Sequence, residues 1–121
     1  MVKKKKVLIV DDTEDIRLMM QIFLDCDGYQ VVEAKDGYEA VEKAIAEKPD
    51  LILMDIAMPV LDGLEATQAI RSHAELADIT IVALSAYGDF YRDKALSAGC
   101  NDVLQKPLDF DRLQPLVEQY V

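Results

Sequence analysis

The 121-residue chain has no tryptophan, only two cysteines and one histidine, and little positive charge. Cys26 and Cys100 have no metal-ligand spacing. Two cysteines in a chain of this length do not make a disulfide framework, so both are expected to be reduced and mostly packed. The lone histidine, His73, reads as a surface residue near the end of a helix. No apolar run approaches the roughly 20 residues of a membrane span, and the N-terminus lacks the apolar stretch of a signal peptide. A cytoplasmic address without membrane contact is the expectation. Thirteen basic residues face 23 acidic ones, giving a net charge of −10 and a pI near 4.4. Nucleic acid and anionic lipid both select a positive surface, so neither is an expected partner. The exception, "KKKK" at Lys3–Lys6, reads as a solvated run guarding the start of a strand. No repeat, low-complexity tract or Pro/Gly/Ser-rich linker divides the chain, so residues 1–121 are expected to form a single domain.

Short apolar runs alternate with helical patterns. "VLIV" (Val7–Val10), "LILM" (Leu51–Met54) and "IVAL" (Ile81–Leu84) are apolar throughout, as central strands covered on both faces would be. "QVVEA" (Gln30–Ala34) and "DVLQ" (Asp102–Gln105) are mixed, as edge strands would be. Between them, Ile16, Met20, Phe23 and Leu24 share a helical face, as do Val41, Ala44 and Ile45 after a capping Asp36. Leu64, Thr67 and Ile70 follow Asp62–Gly63, and Tyr91, Ala95 and Leu96 follow Asp89. A last helix should begin near Asp109, starting late or bending at Pro115. Gly28 and Gly99 mark helix ends. Five strands alternating with five helices predict an α/β, flavodoxin-like (βα)5 fold. Right-handed crossovers make it a doubly wound parallel sheet, of order 2-1-3-4-5.

That order places a ligand site at the C-terminal ends of the strands, where the polar residues of this chain collect. Strand 1 ends in Asp11 and Asp12, strand 3 in Asp55, strand 4 in Ser85 and strand 5 in Lys106. Taken singly, Asp11 or Asp12 could equally cap the following helix. Three carboxylates in a partly desolvated pocket require either a proton or a cation. Mg²⁺ suits them, because it binds hard oxygen ligands and needs few from the protein. A metal, a lysine and a hydroxyl together suit phosphoryl transfer, with the cations neutralising phosphoryl oxygens and Ser85 hydrogen-bonding one. No cysteine sits at a strand tip, so the nucleophile is a carboxylate and the product an aspartyl phosphate. A flavin-phosphate binder of the same fold is disfavoured, since "DDTED" would repel phosphate without a metal.

"VLIVDDTED", "LILMDIAMPVLDGLEATQAIR", "IVALSA" and "AGCNDVLQKPLD" resemble, in order and spacing, the receiver (response regulator) domains of two-component signalling, of stand-alone or hybrid-kinase type. The resemblance implies that Asp55 is the phosphoacceptor. It implies that Asp11, Asp12, Asp55 and the main-chain carbonyl of Ala57 hold Mg²⁺, that Ser85 moves toward the phosphoryl group, and that Lys106 precedes a cis bond to Pro107. The expected donor is a sensor histidine kinase or a histidine phosphotransfer protein. Phosphorylation is expected to switch affinity for a downstream protein partner. Such a domain is not an enzyme beyond its own phosphorylation and slow dephosphorylation. Turnover of small phosphate esters is not expected, because Ala57 stands where an acid/base would be needed. The family's usual switch position, an aromatic on strand 5, is Val103 here. Signalling then runs through the loop after Ser85, with Tyr87 and Tyr91 as candidate substitutes, or the chain is a receiver-like interaction module with weak or altered switching.

Overall fold

The computed structural model describes residues 4–57, 61–87, 90–106 and 109–121. Strands β1 (Lys6–Val10), β2 (Gln30–Ala34), β3 (Leu51–Asp55), β4 (Thr80–Ser85) and β5 (Asp102–Gln105) form one sheet of order β2-β1-β3-β4-β5. Every pair is parallel. The helices are α1 (Glu14–Cys26), α2 (Gly37–Glu47), α3 (Gly63–Arg71), α4 (Arg92–Ala98) and α5 (Phe110–Tyr120).

The apolar strands bury both faces because alternate side chains leave on opposite sides. Val7, Ile9, Leu51, Leu53, Val82 and Leu84 pack with Met20 and Leu24 of α1 and Leu113 and Val117 of α5. Leu8, Val10, Ile52, Met54, Ile81 and Ala83 pack with the small faces of α2, α3 and α4. Burying a side chain of this size contributes about 1.5–3 kcal/mol, so the sheet is a rigid platform for whatever its tips carry.

Local signals place most helix ends. Asp36 accepts from the Glu39 amide at 2.8 Å, and Asp62 from the Glu65 amide at 2.9 Å. Gly99 closes α4 at φ 116°. Asp109 accepts from the Asp111 amide at 2.9 Å, and α5 starts immediately after it. Of the two expectations for α5, a late start or a bend at Pro115, the late start does not occur: the helix runs from Phe110 to Tyr120 with Pro115 inside it. Pro115 and Asp111 are both exposed, so the carbonyl deprived of its partner lies where solvent reaches it. His73 also differs from expectation. α3 stops at Arg71, and His73 is half-buried as the N-cap of a 3₁₀ turn, Ala74–Leu76. Arg71, the last residue of α3, ties that end down. Its guanidinium donates to the carbonyls of Gly99, Leu76 and Ala77 and to Asn101 Oδ1, at 2.9–3.2 Å, binding the end of α3 to two later segments.

Cys100 is buried beside Thr67, but Cys26 is exposed. Lys6 is not merely solvated: its ammonium lies 2.9 Å from Glu47 Oε2. The proposed Asp89 cap, Lys3 and the Lys106–Pro107 bond fall outside the described residues. Among the described residues, no helix is long and apolar enough to cross a membrane.

Candidate functional site

β1 and β3 are adjacent, with Val10 opposite Met54, so the residues after them emerge side by side. Asp11, Asp12 and Asp55 each offer a carboxylate oxygen within 4.8 Å of the others. Asp11 and Asp55 are buried, while Asp12 is exposed. Lys106, beyond β5, reaches back over the sheet. Its Nζ lies 3.0 Å from Asp55 Oδ1 and 3.6 Å from Asp11 Oδ2. Its main-chain N–H donates to the Ser85 carbonyl at 2.8 Å, which fixes the start of that reach.

Asp55 Oδ1 also accepts from the Ala57 amide at 3.2 Å. Burial pushes the Asp55 carboxyl above its usual range, and the nearby Asp11 adds to the rise. The Lys106 hydrogen bond and charge pull it the other way without cancelling the effect. The phosphoacceptor candidate thus sits in a site that resists its charge.

Neither acid of the pair caps α1. The N-cap is Thr13, without a side-chain bond, and Asp11 Oδ1 instead accepts from the Thr13 amide at 2.8 Å. Asp11 Oδ2 is buried with no hydrogen-bond partner among the described residues. A buried carboxylate oxygen left unpaired is costly, and among the described residues the salt-bridge partner of this one is Lys106, at 3.6 Å. An orphaned oxygen among three convergent carboxylates is what a small divalent cation would satisfy, and an all-oxygen donor set matches Mg²⁺. The residues therefore fit the ion.

Ser85 is buried at the tip of β4, and its hydroxyl accepts from the Tyr87 amide at 3.1 Å. It lines a cleft of about 260 Å³ together with Ala57, Asp62, Leu64, Tyr87 and Tyr91. The site thus has a polar floor of acids and lysine and a more apolar side opening beside Ser85. Tyr87 is two-thirds exposed, whereas Tyr91 packs against the core. Phe90 and Tyr91 meet edge to face at 5.0 Å between ring centroids, and Lys94 sits 5.6 Å from both rings. Periodicity singled out neither Phe90 nor Lys94. Arg17, whose guanidinium contacts Asp11, was missed as well, because its partners lie on different elements.

Residues 7–118 match the family model described as the response regulator receiver domain. The chain is 32% identical over 120 residues to the polar-differentiation response regulator DivK of Brucella anthropi, covering 97% of this chain and 96% of DivK. It is 39% identical over 103 residues to the alkaline phosphatase synthesis transcriptional regulatory protein PhoP of Bacillus subtilis, covering 85% of this chain but 42% of PhoP. Among solved structures, it superposes at a TM-score of 0.89 on the receiver domain of the sensor histidine kinase PA1611 of Pseudomonas aeruginosa. That match is 34% identical and covers 98% of each chain, and the PA1611 structure has a magnesium ion coordinated in its active site cleft. A match running from the first strand into the last helix, on a parallel sheet of order 2-1-3-4-5, shows that this chain belongs to the response regulator receiver domain family of two-component signalling.

Proposed function

We propose that Asp55 takes a phosphoryl group from a phosphohistidine of a sensor histidine kinase or histidine phosphotransfer protein, in a Mg²⁺-dependent reaction, and that the phosphorylated chain changes its affinity for a protein partner. The observation that carries this reading is the Asp55–Lys106 contact of 3.0 Å inside the acidic trio. In the transfer, an Asp55 carboxylate oxygen forms a bond to phosphorus as the P–N bond of the donor breaks. The imidazole nitrogen leaves with the electron pair and takes up a proton. Lys106 places positive charge beside the acceptor oxygen, where the incoming phosphoryl oxygens arrive. Ser85 can turn its hydroxyl from the Tyr87 amide to donate to one of them. Asp11, Asp12, Asp55 and the Ala57 carbonyl would hold Mg²⁺, which when bound neutralises charge on the phosphoryl oxygens. Incubation with Mg²⁺ and acetyl phosphate, and separately with phosphoramidate, is expected to add the mass of one phosphoryl group to the peptide containing Asp55. No gain with either donor would overturn the reading.

An apolar groove on α1 and α5 is a candidate donor face. Met19, Ile22, Phe23, Cys26 and Phe110 line an apolar groove of about 370 Å³ between α1 and α5. The groove is formed by the two helices that follow Asp12 and Lys106 in the chain, and a helix carrying the phosphohistidine is the occupant this reading assigns to it. Exposed Asp15, Asp25 and Asp111 on the same two helices favour a donor with a basic rim.

Ala57 and Tyr87, beside the cleft, carry neither a carboxylate nor an amide to orient attacking water. Slow hydrolysis of the aspartyl phosphate follows. Ala57→Asn is expected to speed its decay severalfold, as read from loss of the phosphorylated mass over time; an unchanged rate would refute this role.

Val103 is half-buried and packs against the core, with no aromatic ring to swing. This favours a signal carried by the loop after Ser85 and the exposed rings of Tyr87 and Phe90. It is also the observation behind the second reading, a receiver with weak switching. A pull-down with and without phosphorylation separates the two readings, since equal capture of partners supports the second.

A further inference from the structure

Arg17 lies in the first turn of α1, and its side chain is only 15% exposed. Its Nη1 donates to the main-chain carbonyl of Asp11 at 2.7 Å, and its Nε lies 3.4 Å from Glu33 Oε1 on β2. Its own amide donates to the Thr13 carbonyl at 3.1 Å. Arg17 is therefore anchored by the helix behind it and by β2 beside it, and it grips the peptide that joins Asp11 to Asp12.

The other groups of Asp11 are held independently. Its amide donates to the Ala34 carbonyl at 3.1 Å, and Oδ1 accepts from the Thr13 amide at 2.8 Å. With the carbonyl taken by Arg17, Oδ2 is the one polar atom of Asp11 left without a hydrogen-bond partner among the described residues. The Asp12 carboxylate is exposed, and its direction depends on the peptide before it. A guanidinium clamp on that peptide fixes where both acids point.

We propose that Arg17 is a positioning residue for the cation site, holding the Asp11–Asp12 peptide so that both carboxylates converge with Asp55. This rests on the reading of those three acids as cation ligands. Two effects of Arg17 have opposite signs. Its positive charge near the acids opposes a second cation, so charge alone would make Mg²⁺ bind more tightly once Arg17 is removed. Loss of the clamp would make Mg²⁺ bind more weakly, because residues that orient metal ligands are typically worth about 10–100-fold in affinity.

The test is calorimetric titration of the full chain with Mg²⁺, on the parent and on Arg17→Gln, Arg17→Lys and Glu33→Gln, each checked for native circular dichroism. Arg17→Gln is expected to weaken Mg²⁺ about tenfold or more. Arg17→Lys keeps the charge but not the fork that spans Asp11 and Glu33, and should fall between that variant and the parent. Glu33→Gln leaves the Asp11 bond but loosens its tether, and should weaken binding less than Arg17→Gln does. If Arg17→Gln does not fold, the ordering of the other two against the parent carries the test. Unchanged or tighter Mg²⁺ binding in the folded Arg17 variants would overturn the proposal. A parent chain that binds no Mg²⁺ would instead overturn the cation-site reading beneath it.

Discussion

Asp55→Asn is expected to take up no phosphoryl group from any donor and, in metal-free buffer, to be more stable than the parent chain at neutral pH. The first effect follows from chemistry, since an amide oxygen is too weak a nucleophile to replace the carboxylate. The second follows from the environment of the group. Burial raises the Asp55 pKa in the folded chain, and Asp11 adds to the rise. A carboxyl whose folded pKa lies above its unfolded value binds protons more tightly when folded. Its favourable contribution is therefore complete below the unfolded value, about pH 4, and is lost as pH rises through the folded pKa. Asparagine is neutral throughout and can still accept from the Ala57 amide. The stability difference between variant and parent should be small in acid, grow through that window and then level off. Urea unfolding of both chains in EDTA at stepped pH measures it. A difference that is flat with pH, or that favours the parent at neutral pH, would show that the Lys106 contact balances or outweighs the desolvation of Asp55.

Gly63→Val is expected to cost about 3 kcal/mol of stability and to lose phosphoryl uptake even where the chain still folds. Gly63 opens α3, and a Cβ placed on it collides with the main-chain oxygen of Asp55 and lies 2.8 Å from Ile56 Cα. These are backbone atoms at the end of a strand paired on both sides, and the Ile56 amide is tied to the Leu84 carbonyl at 3.1 Å. They cannot yield as the tip of a flexible side chain would. The Gly63 amide in turn donates to the Ile56 carbonyl at 3.0 Å, so the first turn of α3 is seated directly on the peptide that presents the acceptor. Gly28→Ala is the contrast. A Cβ there meets nothing within 4 Å, and only the positive φ of 88° resists it, at a cost of about 1–2 kcal/mol. Equal midpoints for Gly63→Val and Gly28→Ala in urea would refute the close-approach account.

Both experiments depend on features of different visibility. Asp55 was legible because it directly follows an apolar run, and the same rule located Asp11, Asp12, Ser85 and Lys106 at the tips of their strands. The cap at Asp36 was legible, and the helix starts near Asp62 and Asp109 were marked, because these carboxylates bond amides only two or three residues away. Gly63 was visible only as half of a turn signal. Its contact with Asp55 depends on where the loop between β3 and α3 returns. Arg17 was invisible because its partners, Asp11 and Glu33, belong to other elements. His73 and Cys26 were misjudged for related reasons. Periodicity does not record the Arg71 bonds that accompany the end of α3, nor which residues of α1 are left exposed.

The amino-acid order alone determined the alternation of strands and helices, the parallel sheet and the chemical identity of the residues at its tips, because periods of 2 and 3.6 and short-range capping are local properties of the chain. Only the tertiary structure decided that Lys106 comes within 3.0 Å of Asp55, that Asp11 keeps one buried oxygen unpaired, and that Arg17 clamps the peptide between the acidic pair. Those outcomes depend on ångström-scale distances between segments far apart in the chain, which are set when the whole core packs.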